Sequence, residues 1–445
     1  MIPSFFEESI NYLISYMKNL SACSTNDLND FIKETDGKII DIRPIAAYNG
    51  WRLQGEGRGG HIPKAKSIPL KWTRYLDWVE VLEEKDIPKN KPVVVYGYND
   101  ENTRSMGEKL LDLGYTDVRV YDKFLKEWIA NEEFPLDRLE RYQQLVYPEW
   151  IKQLVDGGRP QEYHNEDFVI CHSHYGYIED YEKGHIPGAI ALNTNWLEST
   201  ETWNRRTPKE LRERLQKLGV RHDTTVVVYG RFSAPVYDEE HFPGKSAGHL
   251  GAMRSAAILL YAGVKDVRIL NGGITSWEDA GFELSTDDVV PRAIDDFGAK
   301  IPGHPEVMID TPEAKKYLAF DDSELVSVRS WAEFIGDRSG YHYIDKKGRI
   351  PGAVFGNCGS DAYHMENYRN FDHTMREYRE VAEKWIEEGL TPDKKLAFYC
   401  GTGWRGSEAF WNAWLMGWPN VAVYDGGWYE WSSDSQNPIG SGEPE

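Results

Sequence analysis

Short apolar runs rich in valine and isoleucine alternate along the chain with stretches whose apolar residues recur at helical spacing. That alternation predicts parallel strands joined by helices. The runs fall into three matching sets. Each set opens with a strand, at 39–43, 168–172 and 325–329. A turn follows: Gly60-His61-Ile62-Pro63, then Gly184-His185-Ile186-Pro187-Gly188, then Gly348-Arg349-Ile350-Pro351-Gly352. Next come a central strand at 93–97, 226–230 and 396–400, a helix ending at Gly114, Gly263 and Gly417, and a last strand at 118–122, 267–271 and 421–425. Self-similarity at a fixed period decides architecture before any local assignment. The expectation is an α/β fold of three tandem modules, each a parallel sheet with helices on both faces.

The modules are expected at 23–140, 146–288 and 305–441, with linkers at about 137–147 and 286–311. The register between copies is uneven in one place. From the end of the central strand to the end of the last strand is 25 residues in copies one and three (97 to 122, 400 to 425) but 41 in copy two (230 to 271). Copy two therefore carries about 16 extra residues just after Gly230, containing Phe232, Pro235, Tyr237, His241, Phe242 and Pro243. An insert where the repeat presents its functional loop is a candidate lid or docking surface. It is equally a tolerated surface insertion, because lengthening a loop costs little closure entropy. Ahead of the first module, Ser4 and Glu7 form a capping box, and Phe5, Phe6, Ile10, Leu13, Ile14, Met17 and Leu20 recur at helical spacing. Residues 1–22 are thus expected to form an amphipathic helix. Leu20-Ser21-Ala22-Cys23 resembles a lipoprotein cleavage box, but Glu7, Glu8, Asn11, Lys18 and Asn19 interrupt the apolar stretch that such a signal needs.

A length of 445 residues fits about three domains. The chain has 51 basic and 72 acidic residues, a net charge of −21, which argues against nucleic acid or an anionic membrane surface as its main partner. Small anions are repelled at long range, so any anion site must be built from local groups. No run of 18 apolar residues occurs, so no membrane span is expected. A cytoplasmic location is expected from the chain as it stands, and a periplasmic one if a leader has been removed. Cys23, Cys171, Cys358 and Cys400 lie far apart with no C-x-x-C pair, so no zinc site or disulfide framework is written here. Cys171 and Cys358 read as buried structural thiols.

Cys400 differs from the others. It ends an apolar strand and opens Cys400-Gly401-Thr402-Gly403-Trp404-Arg405, which runs into a helix. Loop N–H groups and a helix N-terminus make an anion cradle. The helix end contributes only about 0.3–1 kcal/mol, less than one pKa unit at about 1.36 kcal/mol each. Arg405 and the loop donors must therefore supply most of any activation, drawing the thiol from about 8.5 toward the roughly 3.5–7.5 of reactive cysteines. At the matching position the other copies have Gly97 and Gly230. Two modules thus have no nucleophile and one does.

At these residues the chain resembles the rhodanese sulfurtransferases. The Gly-His-Ile-Pro-Gly turn at 184–188, the Cys400 to Arg405 loop and Asp425-Gly426-Gly427-Trp428-Tyr429-Glu430-Trp431 follow the family's motifs in the family's order, over about residues 24–440. The resemblance implies thiosulfate sulfurtransferase activity with module three catalytic and modules one and two inactive. It implies Cys400 as nucleophile, Arg405 as its activator, and Gly401, Thr402, Gly403 and Trp404 around the transferred sulfur. The Cys400 thiolate would take the outer sulfur of thiosulfate and pass it from a persulfide to a thiol or cyanide. The implied partners are a small anionic donor and a thiol acceptor, with a sulfur-relay protein as a further partner, and no metal or organic cofactor is implied; the chain is expected to be a monomer. Copy three departs from the family in having Ser327-Val328-Arg329 where Asp-x-Arg is usual, which puts the Arg329 ion pair in doubt, and an insert at 337–347. That insert offers Arg338, Tyr341 and Tyr343 near the mouth, with Arg338 as a candidate substrate anchor. Two rival functions remain. A cysteine phosphatase also uses a Cys and Arg cradle, but five residues would separate the pair, and here only four do. A relay protein would accept one sulfur per chain and release it only to its partner.

Overall fold

The computed structural model describes residues 20–34, 36–176, 178–232 and 248–444. Residues 1–19 of the helix expected at 1–22 and most of the insert after Gly230 lie outside the described residues, and the end of that expected helix is instead a strand, Ser21–Ala22. The chain forms two compact units, Met1–Tyr142 and Gln143–Glu445. The first holds one five-stranded sheet and the second holds two.

The sheets repeat one topology. Their strands are Ser21–Ala22, Lys38–Asp41, Ala65–Ser67, Val93–Tyr96 and Val118–Tyr121; then Leu145–Val146, Phe168–His174, Ile190–Asn193, Thr225–Gly230 and Asp266–Leu270; then Met308–Ile309, Ser323–Ser327, Val354–Phe355, Lys395–Tyr399 and Val421–Tyr424. Counted along the chain, each set lies in the order 1-5-4-2-3 with every pairing parallel. This is the expected α/β architecture of three modules. Sequence pattern found three strands per module. The two it missed are short edge strands, and two of these, Leu145–Val146 and Met308–Ile309, fall inside stretches expected to be linkers. Each of these pairs is too short for a period to show, and it is the neighbouring last strand that recruits it. Ser21–Ala22 does the same in the first module, where Cys23 donates its N–H to Val120 O at 2.9 Å and lies buried. The residues that resemble a cleavage box are thus part of the sheet.

Central strands are buried along their length because helices cover both faces. The helices that follow them are Asp100–Asp112, Gly248–Ala262 and Trp404–Leu415. Helix Gly248–Ala262 is buried at every residue. It packs on its own sheet and on Trp404–Leu415 of the next module, where the Trp411 indole N–H donates to Met253 O at 3.2 Å. A helix apolar on most sides suits such a two-sided position, and His249, Arg254 and Ser255 are its buried polar members. The catalytic-type helix of module three therefore leans on its counterpart from module two.

Candidate active site

Strand Lys395–Tyr399 delivers Cys400 to its C-terminal end, and the chain turns through Gly401, Thr402 and Gly403 into helix Trp404–Leu415. Gly403 takes φ 89°, a left-handed conformation that glycine adopts without strain. Gly401 is glycine for space: a Cβ there would sit 2.4 Å from the Tyr341 ring. The carbonyl of Cys400 accepts from Trp428 N–H at 2.8 Å and that of Gly401 from Tyr429 N–H at 2.9 Å. Both carbonyls thus turn toward the Asp425-Gly426-Gly427 bend, and the trans peptides point their N–H groups the other way. The first helical turn leaves N–H groups without intrahelical acceptors and adds positive partial charge at the loop. Cys400 itself is 2% exposed.

Not every loop donor is free to ring a transferred sulfur as expected. The Gly401 N–H donates to the Tyr341 hydroxyl at 3.0 Å. Arg405 is likewise committed. It is buried, and its Nη2 and Nη1 donate to the Glu333 carboxylate at 2.8 and 3.1 Å, with Asp361 O at 3.0 Å and the Tyr341 hydroxyl as further acceptors. Burial pushes the Glu333 carboxyl up, and the Arg405 guanidinium more than reverses this, holding it below the usual carboxylate value. Arg405 is therefore one half of a fork-to-fork ion pair rather than a lone cation facing the thiol. Glu333 escaped the sequence reading, although Ser330 and Glu333 form a capping box on helix Trp331–Phe334 and the motif is visible in the sequence. Its reach to Arg405 is a tertiary fact with no local signal.

The insert at 337–347 contributes its tyrosines. Tyr341 stacks obliquely on Tyr343 at 5.3 Å, and the Tyr343 hydroxyl bonds the Thr402 side chain. Arg338, the expected anchor, is exposed to solvent, so the segment meets the loop through Tyr341 and Tyr343 instead. Trp203 of module two continues the stack on Tyr343 at 5.3 Å, Tyr175 follows at 5.6 Å, and Tyr175 meets Trp404 edge-on at 5.5 Å. Five aromatic rings from two modules thus line the approach. The Trp404 indole N–H donates to Glu198 of module two at 3.0 and 3.1 Å. Cys358 also lies beside the site, its Sγ 3.8 Å from Arg405 Nη1, but burial pushes its thiol up to about 12, so it stays protonated. Cys171 is pushed up to about 12 by burial alone.

The rhodanese-like domain family model matches three stretches, 24–131, 148–280 and 310–434. The chain belongs to the rhodanese family. Among curated relatives, the thiosulfate sulfurtransferase YnjE of Escherichia coli K12 is 41% identical over 93% of this chain and 91% of its own. The sulfur carrier protein TtuD of Thermus thermophilus is 26% identical over 67% of this chain and 97% of its own. Among solved structures, wild-type EanB is 52% identical with a TM-score of 0.94, covering 96% of this chain and 99% of that one. EanB has also been solved with hercynine, and in a cysteine-persulfide form with ergothioneine at 52% identity and a TM-score of 0.93. The rhodanese chemistry common to these relatives is sulfur transfer, which makes this chain a sulfurtransferase of the rhodanese class. Among the described residues no helix is long and apolar enough to cross a membrane.

Proposed function

We propose that this chain carries sulfane sulfur as a persulfide on Cys400 and passes it to a small acceptor. The observation that carries the reading is a thiol at 2% exposure, at the end of a central strand and the start of a helix, in the one module that has a nucleophile there. In the loading step the Cys400 thiolate forms a bond to the outer sulfur of thiosulfate, the S–S bond of the donor breaks, and its electron pair leaves with sulfite. In the second step an acceptor thiolate or cyanide bonds the outer sulfur and the Cys400 thiolate is regenerated. Gly401, Thr402, Gly403 and Trp404 shape the cradle, and the Arg405–Glu333 pair fixes the helix that carries it. Mass spectrometry of Cys400 after incubation with thiosulfate, mercaptopyruvate or a cysteine desulfurase persulfide tests this directly. A gain of one sulfur on Cys400 supports it, and no gain with any donor refutes it.

A second reading of the acceptor is favoured by the aromatic approach. Arg405 is neutralised by Glu333, so the loop offers a dianion less attraction than the bare Cys and Arg motif implies. The cluster of five rings, of which Tyr175, Trp203 and Tyr343 are stacked, suits a flat or cationic acceptor, since aromatic faces attract cations by about 0.5–2 kcal/mol each. Hercynine, with which EanB has been solved, combines an imidazole with a trimethylammonium group. We read an aromatic betaine of this class as an acceptor for this chain too. Sulfur insertion would bond the imidazole carbon to the outer persulfide sulfur while the S–S bond breaks and its electron pair leaves with Cys400 as thiolate; the carbon loses its hydrogen as a proton to solvent, and a proton returns to Cys400. Production of ergothioneine from hercynine by the persulfidated protein is the test, with cyanide as the reference acceptor.

A further inference from the structure

Module two has no nucleophile, yet it reaches the catalytic loop of module three through one arginine. Arg254 lies in helix Gly248–Ala262 and is completely buried. Its Nε donates to Glu198 at 3.1 Å, and its Nη2 to Trp203 O at 3.0 Å and to the Asp425 carboxylate. Its Nη1 is buried with no hydrogen-bond partner among the described residues. That same Nη1 lies 2.9 Å from where a Cβ on Gly403 would sit. The Nη1 amino group, with its two N–H donors, is therefore left over and set against the loop at the residue whose missing side chain admits it. Each of the other contacts also ends on the site. Glu198 holds the Trp404 indole, and Asp425 opens the bend whose next residues hold the carbonyls of Cys400 and Gly401.

We propose that Arg254 of module two is a positioning residue for Cys400, placing a fixed positive charge behind the loop, with Glu198 as its counter-charge. The proposal rests on the Cys400 reading above. Glu198 faces Arg254 from the helix, Trp404 from module three, and Thr194 and Tyr175 from its own module. Asp425 faces Arg254 and Arg205, with Arg205 Nη1 at 2.6 Å from Asp425 and 2.7 Å from Asp310. A buried guanidinium in such a network keeps its charge throughout the accessible pH range. Its unpartnered N–H is costly unless something at the loop uses it. A thiolate or persulfide anion on Cys400 is what this arrangement would stabilise. The two carboxylates explain how a buried cation can be kept there at all.

A purely adhesive role between modules predicts something different. Lysine keeps the charge of Arg254 and loses its fork, whereas methionine loses both. The experiment is the pH profile of iodoacetamide alkylation at Cys400, read by mass spectrometry on the full chain. It needs no sulfur donor, so its outcome is separate from whether Cys400 carries a persulfide. Arg254→Met should move the profile up by at least about half a pH unit, about a threefold slower reaction below the midpoint. Arg254→Lys should restore most of that shift. Glu198→Gln keeps an acceptor for Trp404 and, above about pH 7 where Glu198 is ionised, removes the counter-charge, so it should move that part of the profile down. Equal shifts for Arg254→Met and Arg254→Lys would overturn the proposal, and so would an unmoved profile in Glu198→Gln. Should Arg254→Met not yield folded protein, the Glu198→Gln arm decides alone.

Discussion

Arg405→Met is expected to cost stability as much as chemistry. The side chain is 1% exposed and its fork meets a Glu333 carboxylate that is wholly buried. Removing one partner of a buried ion pair costs about 3–5 kcal/mol, because the other charge is left uncompensated. Glu333 would keep its bonds from Ser330 N–H at 2.9 Å and the Ser330 hydroxyl at 2.8 Å, which places the loss at the lower end, about 3 kcal/mol. For a unit larger than 250 residues, 1 kcal/mol moves Tm by about 2 °C, so the loss is about 6 °C. Glu333→Gln alone strands Arg405 with Asp361 O and Tyr341 and should cost a similar amount. The double variant removes both charges and should recover about 2 kcal/mol relative to the sum of the singles. Thermal unfolding of the three variants by intrinsic fluorescence measures this. A Tm within 1 °C of the parent for Arg405→Met, or a double variant that simply adds the two singles, would refute the coupling.

Cys400→Ser should abolish sulfur transfer, while replacements of Cys23, Cys171 and Cys358 should leave it intact in a turnover assay with cyanide. Arg405→Ala should move the pH profile of Cys400 alkylation upward, because the positive charge is lost and the Glu333 carboxylate is left uncompensated beside the thiolate; an unmoved or downward profile would contradict the pairing. Trp203→Ala should raise KM for an aromatic betaine acceptor several-fold and leave cyanide turnover unchanged, since only the former uses the ring stack. Burial pushes Glu198 up to about 7, above the roughly 4.3 of an unfolded glutamate. The native state therefore holds a proton that the unfolded chain has released, and this stability is fully present at low pH and lost as pH rises from about 4.3 to about 7. Glu198→Gln should flatten that part of the Tm against pH curve, and an identical curve would sink the assignment.

How far the chain could be read follows from what each feature depends on. The three modules were legible because strand runs, turn motifs and glycine-ended helices recur in order, and each is a local pattern. The edge strands were not, since Leu145–Val146 and Met308–Ile309 are strands only through their neighbour. Cys400 was legible from the glycine in its place in both other copies. What Arg405 does was not, because the sequence shows a cation beside a thiol and does not show the carboxylate folded over it. Arg338 stood out by its charge, whereas the contacts that Tyr341 and Tyr343 of the same insert make with the loop have no local signal in the sequence. Glu198, Arg254 and Trp203 could not be found at all, as they belong to a module with no nucleophile and reach the site across an interface.

The position of the acid distinguishes the three modules more than the cysteine alone does. Asp41, His172 and Ser327 are equivalent, each paired in the sheet with the tyrosine of the central strand, Tyr96, Tyr229 and Tyr399. In module one Asp41 pairs with Arg43 at 2.6 Å and accepts a hydrogen bond from the Tyr96 hydroxyl at 2.6 Å, a closed set under a loop that begins with Gly97. In module two His172 is buried with neither ring nitrogen hydrogen-bonded among the described residues, and burial keeps it neutral. In module three a serine stands there, and Arg329 rests on the Ser327 hydroxyl at 3.3 Å and over the Trp428 ring at 4.9 Å. Tyr399 is the residue before Cys400, so a carboxylate at 327 would put a negative charge at the strand end that presents the thiol. Module three instead has its acid at Glu333, where it faces Arg405 and acts on Arg329 as well. The missing Asp-x-Arg pair is thus a displaced acid: the carboxylate that would oppose a thiolate at the strand end is held on the guanidinium of the following helix.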